Sequence, residues 1–284
     1  MQKSILNIDG RSLEIYTQGT PSNSALILHH GGLASTLNMA PIFRAAKKED
    51  VFVIGITRPG YAESTSDPGR RADDYLEYTS YVLDNFDITS FVSLGWSSGA
   101  PAALSDARDI RCKGAISISG DAPKGNIDWS EYEEKYPAEN LTSKYGYTLE
   151  LSDALNALRN VVGADLSRVF GDALSKADVE ICDGPYGEEL ASAIGDGMAP
   201  GDDGLIQDVE SDHSDWGFDL REITNPVAIF QGDEDRMDTP ANGHFLKEHI
   251  PNSELILLKG EGHISVIYKY SHDIVVKALE FLYK

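Results

Sequence analysis

Ser97 lies in the segment Gly95-Trp-Ser-Ser-Gly99, a GxSxG pattern that could present a nucleophilic hydroxyl. The pattern directly follows an apolar run that ends at Leu94 and precedes a helical run, Ala100–Ala107. A reactive serine has to project from a sharp turn so that its oxygen reaches a substrate, and small neighbours let the backbone close that turn. The N-terminal end of the following helix also favours a developing anion. GxSxG alone can arise by chance, but this strand–turn–helix setting predicts that Ser97 is a nucleophile.

A neutral serine needs a base, and the base needs a group that orients it. His263 comes shortly after an apolar run that ends at Leu258, and the acidic segment Asp233–Asp235 comes shortly after a run that ends at Phe230. Both groups therefore follow the carboxyl ends of predicted strands, where open α/β sheets build their sites. The order serine, acid, histidine agrees with a nucleophile on such a turn. We predict that His263 is the base and that a nearby carboxylate orients it.

Short apolar runs alternate with helical patterns in the first third of the chain and again after Asn225. The runs are bounded by glycine or turn residues and are typical of strands buried on both faces. This alternation indicates a parallel sheet with helices on both faces. The predicted strands are Leu13–Tyr16, Ala25–Leu28, Val51–Ile56, Phe91–Leu94, Gly114–Ser119, Pro226–Phe230 and Glu254–Leu258, and the predicted helices are Leu37–Lys47, Asp73–Phe86, Ala100–Ala107, Ala241–Ile250 and Ser271–Leu282.

From Asp121 to Asn225 the alternation stops, and the chain becomes helical, glycine-rich and acidic. Apolar residues mark one helix within Leu151–Val162 and another within Leu166–Leu174. The segment holds 24 acidic and 7 basic residues, and therefore 17 of the 22 excess negative charges of the chain. We predict a core domain formed by residues 1–120 and 226–284, interrupted by a helical, acidic insertion at 121–225.

Five segments resemble motifs of the α/β-hydrolase superfamily, and they span nearly the whole chain outside the insertion. They are His30-Gly31-Gly32, Arg58–Ser64, Gly95–Gly99, Gly232–Pro240 and Gly260–His263. The resemblance implies an α/β-hydrolase fold, with a mostly parallel central sheet flanked by helices and a helical cap inserted after the sixth strand. It also implies a serine hydrolase of the esterase or proline-iminopeptidase-like branch, with residues 121–225 as the cap.

The same resemblance selects among the acidic candidates. The acid of the family stands after a Gly-x-x spacing and before the proline, and that position is Asp235 here. Asp233 and Asp238 are the competitors; we interpret Asp233 as a turn residue and Asp238 as a helix cap ahead of Pro240. The predicted catalytic residues are therefore Ser97, Asp235 and His263.

Two backbone N–H groups are needed to stabilise an oxyanion. The resemblance implies that Gly32 and Ser98 supply them, with Leu33 as the alternative to Gly32. Leu33 and Trp96 could also form a wall of the pocket, although Trp96 could equally pack in the core. We interpret His30 as a structural residue that hydrogen-bonds this loop.

The formal net charge is −22, from 24 basic and 46 acidic residues. A field of that sign repels nucleic-acid phosphates and anionic lipids, so we expect neither as a partner. No apolar stretch approaches the roughly 20 residues of a membrane span, and no targeting signal is visible, so we expect a cytoplasmic protein. Cys112 and Cys182 match no metal or redox motif and are expected to be reduced. We predict no metal and no cofactor; a homodimer is left open.

The predicted activity is hydrolysis of a small-molecule ester, lactone or amide through an acyl-enzyme. The acidic insertion favours neutral or cationic substrates over anionic ones. An aminopeptidase of the proline-iminopeptidase type is the alternative, but Leu33 stands where its HGGPG motif has proline, and Trp96-Ser97-Ser98 departs from its GGSWG motif. Serine rather than aspartate at position 97 disfavours the dehalogenase and epoxide-hydrolase branches. A small-molecule receptor on the same fold is the hypothesis from another class.

Overall fold

One eight-stranded sheet runs through residues 1–125, 127–135 and 158–284, which are the residues that the computed structural model describes. The strand order is β1-β2-β4-β3-β5-β6-β7-β8. β2 runs antiparallel to β1 and β4, and all other neighbours are parallel. The strands are β1 Gln2–Ile8, β2 Arg11–Gln18, β3 Ser24–His29, β4 Val53–Ile56, β5 Ser90–Trp96, β6 Cys112–Ile118, β7 Val227–Gly232 and β8 Ser253–Leu258.

Helices follow most of the strands, and we number those of the described residues in chain order. They are α1 Ala40–Lys48, α2 Tyr75–Asn85, α3 Ala100–Asp106, α4 Ser130–Lys135, α5 Leu166–Phe170, α6 Lys176–Cys182, α7 Gly187–Gly197, α8 Asp203–Asp212, α9 Pro240–His249, α10 His263–Lys269 and α11 Ser271–Leu282. Short 3-10 helices occur at Thr36–Met39, Ala72–Asp74, Ser97–Gly99, Gly163–Asp165, Gly171–Ala173 and Leu220–Glu222. None of these helices is long and apolar enough to cross a membrane.

The central strands are buried on both faces because helices cover both. Leu26 and Leu28 of β3 pack in one hydrophobic cluster with residues of α1 and α11. Ala25 and Ile27, which point the other way, pack in a second cluster with residues of α2 and α3. This layering explains why the strands read as continuous apolar runs in the sequence. The mostly parallel sheet flanked by helices confirms the predicted fold class.

The structure differs from the sequence predictions at two places. β1 has no predicted counterpart, because it is a largely exposed edge strand without an apolar run. The Asp9-Gly10 pair that joins it to β2 has positive φ at both residues, as expected for a two-residue hairpin turn. The predicted helix around Leu166–Leu174 ends early, because Gly171 adopts a φ of 53°. Most of the helix predicted within Leu151–Val162 lies outside the described residues.

The described part of the insertion consists of α4–α8 and short 3-10 segments, between β6 and β7. It contacts the core through backbone hydrogen bonds as well as side chains. The Ser35 N–H donates to the Ala193 carbonyl at 3.1 Å, and the Ala62 N–H donates to the Gly197 carbonyl at 2.9 Å. The division into a core and a cap domain stays a prediction. Cys112 and Cys182 are both buried and free.

Candidate active site

Ser97 occupies a strained turn between β5 and α3. Its φ is 54°, a left-handed value that non-glycine residues rarely adopt, and its side chain is half-buried. The flanking glycines are required by close backbone approach. A Cβ on Gly95 would collide with the carbonyl of Gly99, and one on Gly99 would collide with the carbonyls of His29 and His30. The GxSxG spacing therefore has a steric cause, and it exposes the serine beyond the end of a buried strand.

His263 is held by Asp235, which lies in the turn after the neighbouring strand. Its Nδ1 is 3.0 Å from one carboxylate oxygen of Asp235 and 3.2 Å from the other. The carboxylate also accepts the backbone N–H groups of Met237 and Asp238, each at 3.0 Å, and the Gln231 side-chain amide at 3.2 Å. These bonds orient Asp235, which in turn places the Nδ1 proton of His263, so that Nε2 is the basic atom of the neutral ring.

Electrostatics make His263 a stronger base than an ordinary histidine. Burial lowers the pKa of His263, but the attraction of Asp235 outweighs it, with further contributions from Asp238 and Asp178, and the pKa rises to about 9. The Trp96 ring lies 5.6 Å from the imidazole between ring centroids, and its Nε1 donates to the His263 carbonyl at 3.2 Å. Trp96 is 4% exposed and belongs to the core cluster.

The structure brings Ser97 and His263 to one carboxylate oxygen. Asp238 Oδ2 lies 3.3 Å from Ser97 Oγ and 4.0 Å from His263 Nδ1. Among the described residues, the hydrogen bond of the Ser97 hydroxyl goes to Asp238 rather than to His263. Catalytic hydrogen bonds are often loose before substrate binds and tighten in the complex.

The two predicted oxyanion residues lie side by side. A Cβ on Gly32 would be 3.0 Å from Ser98 Oγ, so Gly32 lies next to the Ser98 side chain. Leu33, the alternative donor, has a φ of 66° and is half-buried against the core. His30 supports this loop: its Nδ1 donates to the Gly31 carbonyl at 2.7 Å, and its Nε2 accepts the backbone N–H of Arg58 at 2.9 Å. Burial, with Arg58, holds the pKa of His30 well below its ordinary value, so the ring is neutral.

Comparison with known proteins points to one fold. A family model described as alpha/beta hydrolase fold matches residues 24–155. The structure is similar to an esterase from Exiguobacterium antarcticum, with a TM-score of 0.70 and 18% identity over 98% of this chain and 100% of that chain. It is also similar to the enol-lactonase from Burkholderia xenovorans, with a TM-score of 0.72 and 16% identity over 99% and 100% of the two chains. The chain is an α/β-hydrolase-fold protein. A bromoperoxidase from Bacillus anthracis is similar at a TM-score of 0.68 and 17% identity, over 98% of this chain and 100% of that one. No curated protein sequence matches this chain.

In this α/β-hydrolase-fold protein, the insertion contributes a residue that the sequence did not reveal. Asp178 on α6 is fully buried and accepts the backbone N–H groups of His263, Ile264 and Ser265 at 2.7–3.0 Å. These are the first N–H groups of α10, so the carboxylate caps the helix that begins with the histidine. A Cβ on Gly262 would collide with Asp178, which explains the glycine before His263.

Replacing Asp178 with alanine is expected to lower both stability and activity. Three buried N–H groups would lose their acceptor, and we expect the free energy of unfolding to fall by about 2–4 kcal/mol. The turn that positions His263 would loosen, so kcat should fall as well. Chemical denaturation and ester hydrolysis measure the two effects. Asp183→Ala, at the exposed C-terminal end of the same helix, is the matched control; equal unfolding midpoints for the two variants would contradict this role.

A second contact from the insertion reaches the loop that is predicted to bind the oxyanion. Asp208 on α8 is 3% exposed and binds Arg58 and Arg70, each at 2.6 Å, and the Tyr61 hydroxyl at 2.7 Å. Arg58 also donates to Ser98 Oγ at 3.1 Å and to the His30 carbonyl. Only the resemblance of Arg58–Ser64 to a family motif pointed to this segment, and no pattern pointed to Asp208.

The structure also corrects one interpretation and supports another. Asp238 is not a helix cap: the N-cap of α9 is Thr239, and the Asp238 side chain instead contacts Ser97 and His263. Asp233 lies in a turn, where its carboxylate accepts the Gly260 N–H at 2.6 Å. Among the described residues, no cluster of histidine, cysteine and acidic side chains is arranged to hold a metal ion.

Proposed function

We propose that this protein is a serine hydrolase that cleaves a small ester, lactone or amide through an acyl-enzyme on Ser97. The observation that supports the proposal is that Ser97, on a strained turn with φ 54°, lies near the same Asp238 oxygen as His263, whose Nδ1 is hydrogen-bonded to Asp235. Strain of this kind persists where the surrounding structure enforces it, and it is concentrated at functional sites. An esterase and an enol-lactonase are among its structural relatives.

In the proposed reaction, neutral His263 accepts the Ser97 proton at Nε2 as the oxygen attacks the carbonyl carbon. The backbone N–H groups of Gly32 and Ser98 receive the oxyanion. The imidazolium, stabilised by Asp235, then protonates the leaving group. Water, activated by the same histidine, releases the acid and restores the serine.

The proposed substrate is neutral or cationic. The insertion's Asp178 is buried beside His263, and the insertion as a whole is strongly acidic. A negative field lowers the local concentration of anionic esters and raises that of cationic ones. We also propose that the protein acts on small molecules in the cytoplasm and that residues 121–225 form a cap over the site.

Pre-steady-state hydrolysis of p-nitrophenyl acetate tests this function. We expect a burst of about one p-nitrophenol per protein, followed by slower turnover, because acylation and deacylation are separate steps. Choline and hemisuccinate esters of the same acyl length then test the charge preference. Binding without sustained turnover would favour a receptor, and release of naphthylamine from a proline naphthylamide would favour the aminopeptidase. Absence of any serine-dependent turnover would refute the hydrolase proposal.

The pH dependence of kcat/KM should be shifted to the alkaline side. His263 acts as a base only after it loses its proton. Although burial opposes it, Asp235, with Asp238 and Asp178, raises the pKa of His263 to about 9. The rate should therefore rise with pH and reach half of its plateau near pH 9, rather than near the ordinary value of about 6.5. Rates measured from about pH 6 to about pH 10, corrected for spontaneous hydrolysis, provide the profile. A midpoint near the ordinary histidine value of about 6.5 would contradict the role of His263 as a base whose pKa is raised by Asp235.

A further inference from the structure

Asp238 is a buried carboxyl at the reacting atoms that the proposed mechanism does not use. The residue is 4% exposed, and Oδ2 accepts the Ser97 hydroxyl at 3.3 Å. Its position is fixed by the backbone, because its N–H donates to Asp235 at 3.0 Å and its carbonyl accepts the Gln231 amide at 2.8 Å. These hydrogen bonds of the turn therefore hold the Asp238 carboxyl in a position that faces Ser97.

Charged groups from several elements surround this carboxyl. Lys124, after β6, places Nζ 3.9 Å from Asp238 and 3.0 Å from Asp121. Asp212 on α8, His263 on α10 and Asp235 on the same turn also lie near the Asp238 carboxyl. Asp178, on α6, faces His263 from the other side.

His263 and Asp238 influence each other's protonation. Burial raises the pKa of Asp238 well above its ordinary value, and Asp121 adds to this, whereas Lys124 and protonated His263 oppose it. Conversely, ionised Asp238 raises the pKa of His263. The charged histidine and the charged carboxylate therefore stabilise one another.

We propose that Asp238 is a further catalytic carboxyl, which holds the Ser97 hydroxyl away from His263 while the histidine is protonated and so sets the pH at which the serine becomes reactive. This inference rests on the proposed hydrolase function. A protonated imidazole has no lone pair at Nε2, so the Ser97 hydroxyl donates to Asp238 instead. When His263 releases its proton to solvent, the same hydroxyl hydrogen turns to Nε2, and no covalent bond changes in this exchange.

Asp238→Asn tests the inference, because it keeps the size of the side chain and removes its charge. The midpoint of the kcat/KM profile should move down by about one pH unit, which raises kcat/KM at pH 7 about tenfold. The plateau at high pH should stay within about threefold, because neutral His263 then works as before. Asp233→Asn is the matched control: it changes an exposed carboxylate of the same loop that contacts Gly260, and its midpoint should equal that of the parent protein.

Two further measurements separate the outcomes. NMR titration of the His263 ring in the parent protein and in Asp238→Asn reports the same shift without any substrate, and Asp238→Ser replaces Asp238→Asn if that variant does not fold. A parent protein with serine-dependent turnover and an unchanged midpoint in both variants would overturn this inference alone. A parent protein without such turnover would overturn the proposed function, and the inference with it.

Discussion

Replacing Ser97 with alanine is expected to lower kcat/KM for p-nitrophenyl acetate by at least about 10³-fold, because the nucleophile is removed. The backbone N–H groups of Gly32 and Ser98 remain in this variant, so a small residual rate above water is expected. The fold should persist, since alanine adds no atoms to the turn. Thermal unfolding verifies the fold, and steady-state kinetics measure the loss. Ser22 is an exposed serine that precedes the amino end of β3, whereas Ser97 follows the carboxyl end of β5. The control variant Ser22→Ala should therefore retain full activity.

The variant Ser97→Gly extends this test to the strain of the turn. Both variants lack the hydroxyl and should be equally inactive. Glycine adopts a φ of 54° without the steric cost that alanine retains, so Ser97→Gly should unfold at a higher temperature than Ser97→Ala. A substantial residual activity in either variant would show that another group performs the nucleophilic attack. Equal melting temperatures would show that the turn stores little strain.

Asp208→Ala is expected to produce the largest loss of stability. It would leave two buried guanidinium groups, those of Arg58 and Arg70, without the carboxylate that neutralises one of their charges. Breaking a buried ion pair from one side typically costs about 3–5 kcal/mol. Activity should fall as well, because Arg58 contacts Ser98 and the His30 carbonyl, beside the N–H groups proposed to bind the oxyanion. Denaturant unfolding and ester hydrolysis measure the two effects.

The control for this variant is a surface ion pair. Asp84 and Arg111 are 2.6 Å apart, but the Asp84 side chain is 75% exposed, so Asp84→Ala should change the free energy of unfolding by less than about 1 kcal/mol.

The ion pairs of Asp208 with Arg58 and Arg70 should also be lost in acid. Although burial opposes it, the attraction of Arg58 and Arg70 lowers the pKa of Asp208 to about 2. Its stabilisation is therefore present above the unfolded-state value of about 3.9 and is lost as the pH falls through about 2. A small effect of Asp208→Ala would show that α8 is only loosely coupled to the core.

The parts of the fold that could be predicted from the sequence are those that local chemistry determines. Continuous apolar runs predicted β3 through β7, because strands covered by helices on both faces exclude polar residues. The half-buried edge strand β8 was also predicted, from its run of leucine and isoleucine residues. The GxSxG spacing predicted the strained turn, because backbone atoms lie where any Cβ at Gly95 or Gly99 would be. β1 escaped prediction because an exposed edge strand needs no apolar pattern. Only its Asp9-Gly10 turn carried a usable signal.

The parts of the site that the sequence did not reveal depend on long-range contacts. Asp178 and Asp208 are two of the 24 acidic residues of the insertion. The spacing of Ser175 and Asp178 is typical of a capping box at a helix start, but it does not indicate a contact with His263, and no local pattern distinguishes Asp208 from a solvated carboxylate. Their roles arise only when α6 and α8 pack against α10 and the Arg58 loop. Asp238 was misinterpreted because Pro240 two residues later is typical of a helix start, whereas Thr239 takes the N-cap position.

Reaction with a fluorophosphonate, followed by intact-mass measurement and peptide mapping, tests the assignment of Ser97 as the nucleophile. We expect one covalent adduct per chain, located on Ser97, which forms faster as the pH rises toward 9. We also expect the adduct to be lost in Ser97→Ala and to form much more slowly in His263→Ala. An active protein that forms no adduct, or one whose adduct maps to a different residue, would contradict the assignment of Ser97 as the nucleophile.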